Sequence, residues 1–209
     1  PPRSTLFPYT TLFRSLLGRL TAKELVQEHW ARVHDRKLFF PEIEILNEEG
    51  GKPFFRILGE RVFSFSRLPD LSISHSNGLA FCALQDREEQ SFGVDLEYIA
   101  PRPSLFLETF YDEAERERLG GEGKEYWKSV TAVWSLKESA LKALGHGLRM
   151  DTAKIRVFLR PLSASWQPQR VLIDDPDVEG VEAWARCLGS YVFSWVEIEK
   201  KSTRTIGVA

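Results

Sequence analysis

Apolar residues recur along this chain with two periods, and those periods divide it into elements. From Leu20 to His34, Leu25, Trp30 and Val33 keep a helical spacing. Thr21-Ala-Lys-Glu24 has the form of a capping box, and Leu20 with Leu25 fits the staple around it. The pattern therefore predicts a helix that opens at Thr21. Phe39 to Leu46 sets Ile43 and Ile45 against Glu42 and Glu44, which predicts a strand. Asn47-Glu-Glu-Gly-Gly51 is a turn, followed by a Phe-rich hairpin from Phe54 to Phe65 with Gly59 near its bend. Leu71-Ser-Ile-Ser-His-Ser76 alternates again, as a half-buried strand ending at Asn77-Gly78. A strand returns over Leu79 to Leu84, and another covers Phe92 to Leu96.

Pro101-Arg-Pro103 interrupts both periods and marks a linker and a lobe boundary. Beyond it the pattern predicts a short helix from Phe106 to Phe110. Asp112-Glu-Ala-Glu115 caps a second, running to about Leu119. After a loop over Gly120-Gly-Glu-Gly123 comes a long helix from about Glu125 to Leu144, stopped by Gly145. Strands over Ile155 to Leu159 and Arg170 to Ile173 follow, then a turn over Asp174-Asp-Pro-Asp177. A hairpin of Trp184 to Leu188 and Tyr191 to Ile198 bends at Gly189-Ser190. Lys200 to Ala209 is a polar, frayed tail. Each half thus offers a helix and then strands, without a residue-level repeat.

Composition narrows the class. The chain has 209 residues, 43% hydrophobic and 28% charged, enough for one domain or two small lobes. A net charge of -2 gives no footing for nucleic acid, and no apolar run is long enough to cross a membrane. Cys82 and Cys187 lie in separate strand-like stretches without metal spacing, and are expected to be buried free thiols of a reducing cytosol. The only Met is Met150. The segment from Thr5 to Ser15 reads like the in-frame translation of a sequencing adapter. The expectation is that residues 1–15 are an artefact and that native sequence begins near Leu16 with its true N-terminus lost.

Two spacings carry candidate chemistry. Glu138 and Lys142 are four apart on the long helix and share a face. Such pairs are ordinary on helix surfaces, but Trp134 and Leu141 beside this one point to a cleft wall. Asp95 and Glu97 are two apart on a strand, so both carboxylates point to the same side. They repel unless water or a cation separates them. One reading is a solvent-facing strand end. The other is a divalent-cation site, whose oxygen ligands suit Mg²⁺. His29 and His34 have no acidic or thiol partner at metal spacing and read as surface or edge residues. Gly51-Lys52-Pro53 on its own is a turn.

Ser74-His75 after a strand, Gly93-Val-Asp-Leu-Glu97, and Trp134-Ser-Leu-Lys-Glu-Ser-Ala-Leu-Lys142 stand in an order and at separations that carry further. Together they resemble the Sfp-type 4′-phosphopantetheinyl transferases of the holo-carrier-protein synthase superfamily, over roughly Leu16 to Glu197. The resemblance implies an α+β fold of two similar lobes, an intrachain pseudo-dimer. Residues 16–100 would form an incomplete N-terminal lobe and 101–209 the C-terminal one, with coenzyme A in the cleft between them. The implied reaction is Mg²⁺-dependent transfer of 4′-phosphopantetheine from coenzyme A to a serine of an apo acyl or peptidyl carrier protein, with release of adenosine 3′,5′-bisphosphate. Asp95, Glu97 and Glu138 would hold the metal. Asp95, Glu138 and Lys142 would be catalytic, with Glu138 as the base and Lys142 on phosphate. Ser74 and His75 would meet coenzyme A phosphates, and Gly51, Lys52 and Pro53 its adenine end.

Lys137 gains no role from the resemblance, Trp134 falls to the core and His146 to a loop. The family's N-terminal basic contacts to coenzyme A have no counterpart here, and the stretch from Lys52 to Ser74 is longer than in the type member. A basic patch for an acidic carrier is proposed by charge alone at Arg102, Lys124, Lys128 and Arg149. The resemblance further implies a cytoplasmic monomer. The alternative is a catalytically inactive, transferase-like protein that binds coenzyme A or carriers; the intact Asp95, Glu97, Glu138 and Lys142 favour the enzyme. A generic nucleotide phosphotransferase would need a Walker-type Gly-rich loop, which is lacking.

Overall fold

The computed structural model describes residues 7–59, 68–87, 90–119, 123–145 and 150–201, with side chains from residue 16 onward. Helix α1 spans Phe7–His34, so it does not open at Thr21. The capping signal is overridden by packing. Ala22, Val26 and Trp30 lie fully buried against Ile43, Ile45, Phe55 and Leu71, and the helix continues N-terminally past the contact. Gly18 marks its crossing over the strands, since a Cβ there would stand 3.0 Å from Ile73 Cγ2. His29 is not a surface residue: it is 7% exposed, with Nε2 3.7 Å from Asp86. His34 is exposed, its ring 4.4 Å from that of Trp30.

The strand expected from Phe39 starts later. One turn of 3-10 helix, Phe40–Glu42, holds Pro41, and Phe39 N donates to Glu42 Oε2 at 2.7 Å. Strand β1 (Ile43–Asn47) then pairs antiparallel with β2 (Pro53–Ile57), Ile45 opposite Phe55. A hairpin is therefore built on the 47–51 turn, and the second arm of the hairpin expected over Phe54 to Phe65 lies outside the described residues. Strands β3 (Asp70–Ser76) and β4 (Leu79–Gln85) form the second hairpin. Its turn residues Asn77 and Gly78 have φ of 44° and 84°, as a tight primed turn requires.

Strand β5 (Gln90–Tyr98) leads through α2 (Ser104–Phe110) and α3 (Glu113–Arg118) to α4 (Gly123–Leu144). Strands β6 (Ile155–Phe158), β7 (Gln167–Ile173), β8 (Val178–Leu188) and β9 (Tyr191–Lys200) complete an antiparallel five-stranded sheet, ordered β5-β9-β8-β7-β6. Helix α4 lies on this sheet, with Val133, Leu136, Ala140 and Leu141 packed on Ile155, Ala185, Val196 and Ile198. The molecule is thus α+β, with α1 on β1 to β4 in one lobe and α4 on the five-stranded sheet in the other.

Strand β5 joins the lobes. Although it precedes Pro101, it pairs along one edge with β9, Asp95 opposite Ser194. Its other edge is clasped by serines of β3. Val94 N donates to Ser72 Oγ and Tyr98 N to Ser76 Oγ, each at 3.0 Å. The alternation in β3 therefore does not leave a solvated polar face: Ser72 and Ser74 are buried at the lobe junction. Gly93 lets α4 settle on β5. A Cβ there would come within 2.1 Å of Ser139 O and 2.7 Å of Ala143 N, both backbone atoms. Cys82 and Cys187 are free, as expected, but only partly buried.

Candidate active site

A cavity of about 450 Å³ opens at the junction of the lobes. Its wall draws Asp95 and Glu97 from β5, Trp134, Glu138 and Lys142 from α4, Ser74 and His75 from β3, and Gly51 and Pro53 from the start of β2. The strand period aims Asp95 and Glu97 to one side, and the helical period stacks Trp134, Glu138 and Lys142 on one stripe. Lys52 is turned aside. Its ammonium pairs with Asp70 at 2.7 Å and lines a neighbouring cavity of about 190 Å³, shared with Gly51 and Lys142. Of the proposed adenine-end residues, Gly51 and Pro53 thus face the main cavity and Lys52 the adjoining one.

The charges are arranged unevenly. Lys142 Nζ donates to Asp95 Oδ1 at 2.8 Å and to Val94 O at 3.0 Å. Ser74 Oγ donates to the same Asp95 Oδ1 at 2.7 Å. Asp95 Oδ2 is buried with no partner among the described residues. Arg102 Nη2 donates to Glu97 Oε2 at 2.7 Å. Burial and the charge of Asp95 hold the Glu97 carboxyl above its ordinary range, against the pull of Arg102. Glu138 is more strongly affected. Burial first, then the Asp95 charge, push its carboxyl up to about 7, while Lys142 pulls the other way.

This donor set fits a hard divalent cation. An unpartnered buried carboxylate oxygen beside a second carboxylate that resists ionising is a site short of positive charge. The side chains do not form a closed metal shell by themselves: among the described residues, no three His, Cys, Asp or Glu groups are gathered closely enough to do so.

Several functional positions were not visible in the sequence. Arg19 of α1 lines the cavity, and only the continued helix brings it there. Arg102 is engaged with Glu97, and Lys128 pairs with Glu125, so neither is a free cation for a partner. Lys124 is exposed, and Arg149 and His146 lie outside the described residues. Lys137 has a partner that spacing could not reveal. It is fully buried, with Nζ 2.7 Å from Glu115 Oε2 and donating to Thr152 O at 3.1 Å. Glu115 Oε1 accepts from Val157 N at 2.9 Å, so the pair ties α4 to α3 and β6. Trp134 belongs to the core and to the cavity wall alike, its indole packed on Phe106 and Phe110 at 4.9 and 4.7 Å.

Residues 91–186, which carry β5 and α4, match the ACPS family, the 4'-phosphopantetheinyl transferase superfamily. Over this stretch, a little under half of its length, the chain is similar to that superfamily. It is 32% identical over 149 residues to a phosphopantetheinyl transferase of a Thraustochytrium species, covering 65% of this chain and 47% of the relative. It is 27% identical over 165 residues to the 4'-phosphopantetheinyl transferase Sfp of Bacillus subtilis, covering 78% and 63%. The chain therefore spans about half to just under two thirds of these curated relatives. Among solved structures, holo-[acyl-carrier-protein] synthase of Thermotoga maritima superposes with a TM-score of 0.43 at 17% identity, over 53% of this chain and 64% of that one. An ACPS–CoA complex from Chronobacterium ammoniagenes gives 0.41 at 18%, over 55% and 100%. Among the described residues no helix is long and apolar enough to cross a membrane.

Proposed function

We propose that this protein is an Sfp-type 4′-phosphopantetheinyl transferase that moves 4′-phosphopantetheine from coenzyme A to a serine hydroxyl of an apo carrier protein. The observation that carries the reading is the meeting of Asp95, Glu97, Glu138 and Lys142 in one inter-lobe cavity with Ser74, His75, Gly51 and Pro53. Phosphoryl transfer asks a protein chiefly for positioning and charge stabilisation. Mg²⁺ would be held by one or two carboxylates drawn from Asp95, Glu97 and Glu138, together with water and substrate oxygens, and would neutralise pyrophosphate charge.

The chain's own groups supply the rest. Lys142 trades its bond to Asp95 for a phosphate oxygen and steadies the leaving group as a point charge. Ser74 and His75 meet phosphates at the end of β3, and Gly51 and Pro53 border the adenine. Glu138 takes the proton of the incoming serine. The serine oxygen–phosphorus bond forms as the pyrophosphate bond breaks, and adenosine 3′,5′-bisphosphate departs with the bonding electron pair.

The test is direct. The protein is incubated with apo carrier protein, coenzyme A and Mg²⁺, and the carrier is weighed. Gain of one phosphopantetheine mass, lost in Asp95→Asn, supports the reading; no gain across several acyl and peptidyl carriers refutes it.

A further inference from the structure

Arg102 is held in an unusual way. Pro101 and Pro103 flank it and stiffen the backbone on either side. Its guanidinium lies over the Phe106 ring at 5.2 Å, and Phe106 packs edge-on against Trp134 at 4.9 Å. From this platform it reaches Glu97 Oε2 at 2.7 Å, with Arg102 26% and Glu97 20% exposed. The contact is made through Nη2, while Nε is buried without a partner among the described residues. A guanidinium can bind a carboxylate through two parallel bonds; this one leaves a buried donor unused. The pair is close and charge-assisted, but it is not at its strongest geometry.

The same cavity shows the matching arrangement on its other strand carboxylate, where Lys142 sits on Asp95. Two side-chain cations therefore stand on the two acids of β5, and Glu138 stands beside them. A metal ion on Glu97 would stand close to the guanidinium and compete with it for the carboxylate's charge, and two cations at contact distance repel.

We propose that Arg102 is a built-in counter-ion that occupies Glu97 until a divalent cation displaces it, so that competition by Arg102 sets the metal affinity of the site. This rests on the reading of the cavity as a metal-assisted transfer site. Arg102 acts through Glu97 and is a positioning residue. Removing it frees a ligand oxygen and removes a repelling charge, and both effects strengthen metal binding. Its stacking on Phe106 keeps the side chain near when the cation leaves, so the exchange is reversible.

Mn²⁺ affinity is measured by the electron-paramagnetic signal of the free ion, on wild type, Arg102→Gln, Arg102→Lys and Asp95→Asn, with folding checked by circular dichroism. Arg102→Gln is expected to bind Mn²⁺ about tenfold tighter than wild type, the scale of one lost charge-assisted competitor. Arg102→Lys, which keeps the charge, should stay near wild type. Equal or weaker binding by folded Arg102→Gln overturns the inference when wild type binds and Asp95→Asn does not. Absent binding in wild type, or unchanged binding in Asp95→Asn, overturns the metal reading and this inference with it. A measurement on wild type alone stands beside these. In a ¹⁵N spectrum the Arg102 Nε signal should move along the Mg²⁺ binding curve; an unmoved signal at saturating Mg²⁺ refutes displacement.

Discussion

Replacing Glu138 by Gln separates what this side chain does for folding from what it does for chemistry. In the folded protein without metal, its carboxyl is raised from 4.5 to about 7, chiefly by burial. A raised carboxyl holds its proton more tightly in the folded state than in the unfolded one. Its contribution to stability is therefore best at low pH, and is lost as pH climbs from 4.5 through about 7. Every tenfold change in proton affinity is worth about 1.4 kcal/mol, so the full loss is about 3 kcal/mol by pH 8 and under about 1 kcal/mol at pH 5. Gln keeps the shape and removes the ionisation. In urea unfolding with a chelator present, Glu138→Gln should exceed wild type by about 3 kcal/mol at pH 8 and by much less at pH 5. The same variant should lose transfer. A stability gap that does not grow between pH 5 and pH 8 would show that Glu138 is not under the strain that its surroundings imply.

Three further outcomes follow from the packing. Gly93→Ala drives a methyl group into the backbone of α4 at Ser139 and should cost about 1–3 kcal/mol, read as a lower melting temperature, with loss of transfer because the Lys142–Asp95 contact opens. Lys137→Met leaves Glu115 buried and unpaired, for about 3–5 kcal/mol; adding Glu115→Gln should restore part of it, and an additive double variant would disprove the coupling. The Cys82 thiol is pushed up to about 12 by burial, so at pH 8 only about one in ten thousand is thiolate; iodoacetamide should label it quickly in urea and negligibly in the native protein, and fast native labelling would contradict its placement.

Local periodicity made much of the fold legible. Helix α4, the capped helix α3, the β3–β4 hairpin and the β8–β9 hairpin all follow from spacing and turn residues, because each is decided within a few residues. The facing of Asp95 with Glu97, and of Glu138 with Lys142, follows for the same reason. What spacing could not show was the distant partner of each charge. Lys137 adjoins Glu138, yet one helical step of about 100° turns it from the cavity toward Glu115. A lysine between Leu136 and the motif glutamate was a weak sign of this, since nothing local indicated a buried acid in α3. Spacing alone makes His29 an edge residue, because its partner Asp86 lies in a remote loop. The sequence around Thr21 suits a cap, and only the core under α1 decides that the helix runs through it.

The cavity also explains why so much of its frame is rigid. Three carboxylates stand together in this partly buried place, and their mutual repulsion at Glu97 and Glu138 is only partly offset by Arg102 and Lys142. Such a grouping would relax apart if its walls could move. They are held by features with no chemical role of their own: the close approach at Gly93, the serine clasp of β3 on β5, and the Ser135 and Ser139 hydroxyls, each 2.7 Å from Ser194 on β9. The buried Lys137–Glu115 pair fixes α4 from behind, one residue from Glu138. A divalent cation held among these carboxylates would stabilise the fold as it binds, because it would relieve a repulsion that the scaffold prevents from relaxing in another way.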